Sequence, residues 1–265
     1  MRWLVLFLGL PMTTLADEPA QLLTTADGVR FFIVGEKPRQ PAPTLFVLAV
    51  SGRGSLQSDD YVKSGRLLRQ QGWLCASVDV PCHDEDSRPG EPSALKGWRF
   101  RLDQGENFIA PFVEKCRAAL DHLIKEGYTD PQRVAVAGTS RGGFCAFHFA
   151  ANEPRVKWVV AFAPVTDLPV LEEFRGLENH ALTKSLGVAN LADNLVGKHI
   201  WICIGNNDAR VGTDQCFAFT RKVAQTDLAA DKPATIELHV MPSVGHAIHA
   251  TAHDEAAAWL AATSK

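Results

Sequence analysis

Six residues, Gly138-Thr139-Ser140-Arg141-Gly142-Gly143, constrain this chain more than any other stretch, once they are read with what flanks them. Upstream, Arg133-Val134-Ala135-Val136-Ala137 is a β-branched and small apolar run with the character of a buried strand, punctuated before by Asp130-Pro131. Downstream, Phe144, Phe147 and Ala151 recur at helical spacing. A strand that ends on Gly-x-Ser-x-Gly and runs straight into a helix holds its serine on a sharp, strained turn. Side chains at Gly138 or Gly142 would collide with the adjoining strand and helix, which is why the motif requires glycine there. The same geometry aims the first helical N–H groups, notably that of Arg141, at negative charge forming beside Ser140.

The rest of the chain alternates in the same way. Apolar runs at 28–34, 44–50, 73–80, 156–163, 199–204 and 234–241 read as strands, the first of them as an edge strand. Helical spacing through Tyr61 and Leu68, from Phe108 to Leu123, through Phe217 and Val223, and from Ala252 to Ala262 fills the gaps. Continuous apolar strands separated by helices predict an α/β fold: a mostly parallel central sheet with helices on both faces. Three connections stand apart. Ser51-Gly52-Arg53-Gly54 reads as a flexible loop whose N–H groups approach a ligand, or as an ordinary strand-to-helix turn. The polar stretch from Pro81 to Gln104 is expected on a pocket rim rather than in the core, with Trp98, Phe100 and its arginines either shaping access or pinning the loop. Residues 164–198 form either a small lid or a structural connection.

A chain of 265 residues, 46% of them hydrophobic, can build one large core, so residues 17–265 are expected as a single domain. A formal charge of −3 with no basic cluster argues against nucleic acid as a partner. Residues 1–16 have the composition of a cleaved export signal: Arg2, an apolar run from Trp3 to Leu10, then Thr14-Leu15-Ala16 before Asp17-Glu18. Cleavage near Ala16 would give a periplasmic or secreted protein with no membrane span in the mature chain. Most of the six cysteines are expected as packing residues: Cys75 and Cys203 fall in strand-like runs and Cys145 on the helix after Ser140. A Cys82–Cys116 bridge is conceivable, and no Cys-x-x-Cys pair suggests zinc.

From Asp130 through Gly143, and in the order of elements from residue 28 onward, the chain resembles the α/β-hydrolase superfamily, close to dienelactone-hydrolase-like and prolyl-oligopeptidase-like catalytic domains. The resemblance implies a nucleophile, an acid and a histidine in that order, each at the carboxyl end of a strand. Ser140, Asp208 and His246 occupy those stations, with Asp167 and Asp214 as rival acids and His249 as rival base. Such a serine needs a base, the base needs a carboxylate to fix its tautomer, and the oxyanion needs two N–H donors. The backbone of Arg141 is expected to supply one donor and Gly52 or Arg53 the other. His246, His249 and His253 also have a spacing compatible with metal ligation, which Pro242, Ser243 and Gly245 oppose by breaking the helix it would need. The expectation is an exported serine esterase that forms an acyl-enzyme on a small-molecule or polysaccharide-linked ester and needs no cofactor. A serine peptidase of the same fold and a non-catalytic binding protein are the alternatives.

Overall fold

The computed structural model describes residues 18–265, so the expected export signal lies outside the described residues. Among the described residues, no helix is long and apolar enough to cross a membrane. Among the described residues, eight strands, β1 (Gln21–Thr24), β2 (Arg30–Val34), β3 (Ala42–Leu48), β4 (Leu74–Ser77), β5 (Thr129–Thr139), β6 (Val156–Phe162), β7 (His199–Gly205) and β8 (Ile236–Met241), form one sheet in the order β1-β2-β4-β3-β5-β6-β7-β8. β2 is antiparallel to β1 and β4, and every other neighbouring pair is parallel. The helices are α1 (Gly52–Gln57), α2 (Asp59–Arg69), α3 (Ala94–Asp103), α4 (Ile109–Lys125), α5 (Arg141–Asn152), α6 (Ala181–Ser185), α7 (Thr213–Ala229) and α8 (Ala252–Thr263).

Alternation along the strands divides the apolar residues between two cores. Val134 and Val136 of β5 join Phe46, Phe112 and Phe147 on one face, while Ala135 and Ala137 join Leu45, Leu68 and Leu260 on the other. β5 therefore lies buried in the middle of the sheet, with its carboxyl end feeding α5. Its pairing with β3 jumps from Ala42–Thr129 to Thr44–Val134. Pro131, expected to precede the strand, falls inside that irregularity, where its missing N–H leaves no gap in the ladder.

Two expectations need correction, and one left open is decided. The run at 28–34 is not an edge strand, because β1 pairs with it across a turn in which Gly28 takes φ +91°. Of the two readings of Ser51–Gly54, the strand-to-helix turn is the one found: Ser51 caps α1 by accepting from the Gly54 N–H, and a Cβ on Gly52 would lie 2.8 Å from the Phe32 ring. Glycine is there for close packing, not for flexibility. The stretch from Pro81 to Gln104 contains α3 and enters the core. Trp98 is fully buried, stacks on Phe108 at 4.7 Å and donates its indole N–H to the Pro81 carbonyl at 2.8 Å. Arg101, 2% exposed, donates to Asp86 Oδ2 at 2.7 Å and ion-pairs with Glu91, while Lys115 donates to Asp86 Oδ1 at 2.5 Å. These charges pin the segment down. All six cysteines are buried and unpaired.

Residues 164–198 fold as short 3-10 turns plus α6 and pack on α5 and α7. His148 of α5 donates from Nε2 to the Leu186 carbonyl at 2.9 Å in this contact. Burial holds its ring down to about 4, against the opposing pull of that carbonyl. An unfolded histidine titrates near 6.5, so the folded state binds its proton later. Stability from this residue is full above pH 6.5 and is lost as pH falls toward about 4. Urea unfolding at about pH 7.5 and about pH 4.5 should differ by roughly 2–3 kcal/mol more in the native protein than in His148→Gln. Equal pH dependence in the two proteins would remove this account.

Candidate active site

Ser140 leaves β5 at φ 53°, ψ −116°, a conformation costing about 1–3 kcal/mol that persists only when its surroundings enforce it. Here they do. Its N–H donates to the Phe162 carbonyl at 2.9 Å, and its carbonyl accepts from the Gly143 N–H at 3.0 Å and the Val165 N–H at 3.0 Å. A Cβ on Gly138 would fall onto the Gly142 carbonyl, and one on Gly142 onto the Leu48 carbonyl and within 2.9 Å of Ala49 Cα. Strand ends and first helical turn thus meet at backbone contact around the serine.

The other two residues arrive from the ends of β7 and β8, which stay joined beyond the ladder by the Asn206 N–H donating to the Met241 carbonyl at 2.9 Å. Asp208 is held by its own turn: its Oδ1 accepts from the N–H groups of Arg210 at 3.0 Å and Val211 at 3.2 Å. That leaves Oδ2 to accept from His246 Nδ1 at 2.8 Å. A carboxylate only accepts, so the ring carries its proton on Nδ1. His246 Nε2 then offers a lone pair to the Ser140 hydroxyl at 3.0 Å. Burial pushes the Asp208 carboxyl up, but the hydrogen bond and charge of His246 and the two amides outweigh it, and it lies below its ordinary value. The carboxylate is ionised at neutral pH and fully shielded, whereas the His246 side chain is 30% exposed.

The structure brings together Ser140, His246 and Asp208 and leaves the rivals elsewhere. Asp167 and Asp214 make no hydrogen bond to His246, and His249 Nδ1 accepts from Thr251. Among the described residues, no group of three or more His, Cys, Asp or Glu is placed to hold a metal ion. The expected N–H donors fare unequally. Gly52 is a correction: its N–H donates to Asp79 Oδ1 at 2.7 Å and so is already engaged. The Arg141 and Arg53 N–H groups form no hydrogen bond among the described residues, and the Arg53 guanidinium lies over the Phe32 ring at 5.1 Å.

Several contributors were not singled out from the sequence. Asp79 also accepts from the Glu85 N–H at 3.2 Å, and its signal was there: an acid between Val78 and Val80 in an apolar run. Ser55 Oγ accepts from the Ala49 and Val50 N–H groups, each at 3.1 Å, and so fixes the end of β3 against the serine turn. Arg210, two residues beyond the acid, forms a forked pair with Glu173 at 2.8 and 2.6 Å. Ser140, Arg141, His246 and Arg210 line a cleft of about 570 Å³ with Tyr61 and Leu95.

This sheet, with its serine turn after β5, is the α/β-hydrolase fold, and solved structures agree. TT1662 from Thermus thermophilus superposes with a TM-score of 0.68 at 18% identity, covering 93% of this chain and 98% of that one. Acetyl xylan esterase 1 from Thermoanaerobacterium sp. JW/SL YS485 gives 0.64 at 19% identity, covering 92% and 87%. Residues 93–264 match the prolyl oligopeptidase family, and the chain belongs to that family of serine hydrolases. Acylamino-acid-releasing enzyme 2 of Oryza sativa subsp. japonica is 27% identical over 173 residues, covering 62% of this chain. The match spans 20% of the rice protein's length.

Proposed function

We propose that this serine hydrolase cleaves carboxylic esters through an acyl-enzyme on Ser140, with His246 as general base and acid and Asp208 as its orienting carboxylate. The observation that carries the reading is the unbroken chain from Ser140 Oγ through both ring nitrogens of His246 to Asp208 Oδ2. In the first half, Ser140 Oγ attacks the ester carbonyl as its proton passes to His246 Nε2. The charged ring is held by Asp208 and returns that proton to the departing alcohol oxygen. Water then gives a proton to Nε2, attacks the acyl carbon and releases the acid and free serine. The Arg141 N–H, directed by the first turn of α5, stabilises the oxyanion, and Arg53 is the remaining candidate for the second donor. Esters are favoured because an alcohol leaves more readily than an amine. The rice relative, named for releasing acylamino acids, supports a second reading in which the same residues cleave a peptide.

The test is reaction with a fluorophosphonate, mapped by mass spectrometry. Label on the peptide containing Ser140, lost on heat denaturation, is the expected result, and an unlabelled but folded protein would exclude an activated serine. Paired ester and anilide substrates with one acyl group then separate the two readings by their ratio of kcat/KM.

A further inference from the structure

Arg141 contributes more to the cleft than its N–H. The residue is half-buried and lines the cleft with Ser140 and His246. The cleft's other cations are already matched by carboxylates, Arg210 by Glu173 and Lys63 by Asp254 at 2.5 Å. Arg141 is not: among the described residues, its guanidinium makes a single hydrogen bond, from Nη1 to His83 Nε2 at 3.3 Å.

That partner cannot neutralise it. His83 Nδ1 sits 3.0 Å from the Pro81 carbonyl, which only accepts, so Nδ1 bears the proton. Nε2 of the neutral ring therefore accepts from Arg141, and orients the guanidinium without cancelling its charge. Burial works against that charge and outweighs the opposing pull of Tyr61, Cys145 and the Glu173 carboxylate, while Arg210 nearby adds to the opposition. A guanidinium drawn partly out of water whose one hydrogen-bond partner among the described residues is a neutral ring is an incomplete ion pair, and its planar fork matches a carboxylate.

We infer that the side chain of Arg141, positioned by His83, receives a carboxylate carried by the substrate, so that the preferred esters are those of anionic acids or alcohols. This inference rests on the hydrolase reading of the same cleft. The carboxylate lies either on the acyl side or on the leaving group of the substrate, at the distance a side chain next to the nucleophile can reach. Asp59 in the cleft lining is already paired with Arg66, but the exposed carboxylate of Asp60 would repel an anion near it, which favours the Arg141 side.

Two matched pairs of substrates test it. On the acyl side, p-nitrophenyl hydrogen adipate is compared with its carboxamide counterpart, and on the leaving-group side, 4-acetoxybenzoate is compared with 4-acetoxybenzamide. In at least one pair the native protein should favour the anion about tenfold or more in kcat/KM. Arg141→Gln should bring that ratio to about one, and Arg141→Lys, which keeps the charge without the fork, should recover part of it. The ratio is the readout because any loss through the shared N–H donor affects both members of a pair and cancels. A ratio near one in both pairs, or a ratio unchanged in Arg141→Gln, overturns the inference. Failure of the hydrolase reading shows separately, as absence of turnover of every ester. In that case calorimetry of Ser140→Ala with adipate decides: binding that disappears in Ser140→Ala/Arg141→Gln upholds the carboxylate site, and no binding refutes it.

Discussion

Replacing Asp208 with asparagine is expected to lower kcat for ester cleavage by about 10⁴-fold, and replacing Ser140 with alanine by about 10⁶-fold. The asparagine result follows from the direction of hydrogen bonds. Oδ1 of residue 208 accepts from the Arg210 and Val211 N–H groups, and the amide oxygen of asparagine would keep those bonds. Its NH₂ group would then face His246 Nδ1 at the place where the carboxylate oxygen now accepts. The ring can meet that donor only with a bare Nδ1, which moves its proton to Nε2. A protonated Nε2 facing Ser140 cannot take the hydroxyl proton. The fold should be unaffected, so urea midpoints close to the native value together with full loss of fluorophosphonate labelling is the expected pattern. An asparagine variant within tenfold of native kcat would show that His246 is not oriented by Asp208.

The second large effect is on stability. Gly142→Ala places a methyl group on the Leu48 carbonyl and against Ala49 Cα, and both obstacles are backbone. Main chain cannot rotate out of the way as a side chain can, so relief requires β3 and α5 to separate. Both elements carry core residues, Phe46 and Leu48 on one and Phe144 and Phe147 on the other. A loss of about 4 kcal/mol or more is expected, at the far end of what a single substitution does. Urea denaturation gives the value directly, and a loss below about 1 kcal/mol would mean that the turn tolerates displacement.

Much of this architecture was legible beforehand because β-branched runs, helical spacing and glycines obey local rules. The strand leading to Ser140, the helix leaving it and the stations of Asp208 and His246 all sit at places where an apolar run stops abruptly. What escaped was decided by partners distant in sequence. Gly52 looked like a mobile position because glycine usually is, but the Phe32 ring gives the reason for it. Its N–H looked available because the acceptor, Asp79, lies 27 residues further along. The stretch before Gln104 looked like surface because its composition is polar and broken by Pro89, Gly90 and Pro92, and nothing local shows that Arg101, Asp86 and Glu91 neutralise one another in the interior. Composition counts charges one at a time, whereas burial depends on their sum.

The ion-pair cluster around Arg101 also governs how the cleft could be remodelled. Residues 82–91 supply both of its carboxylates, and α3 supplies the guanidinium together with Leu95 on the cleft wall. Exchanging that loop alone for one of different chemistry would strand a cation in the interior, a defect of about 3–5 kcal/mol. Loop and helix therefore form one exchangeable cassette. A graft that carries residues 82–103 as a block, or that converts Arg101 to an apolar residue of similar volume in the same step, is the route by which a new specificity could be installed without unfolding its host.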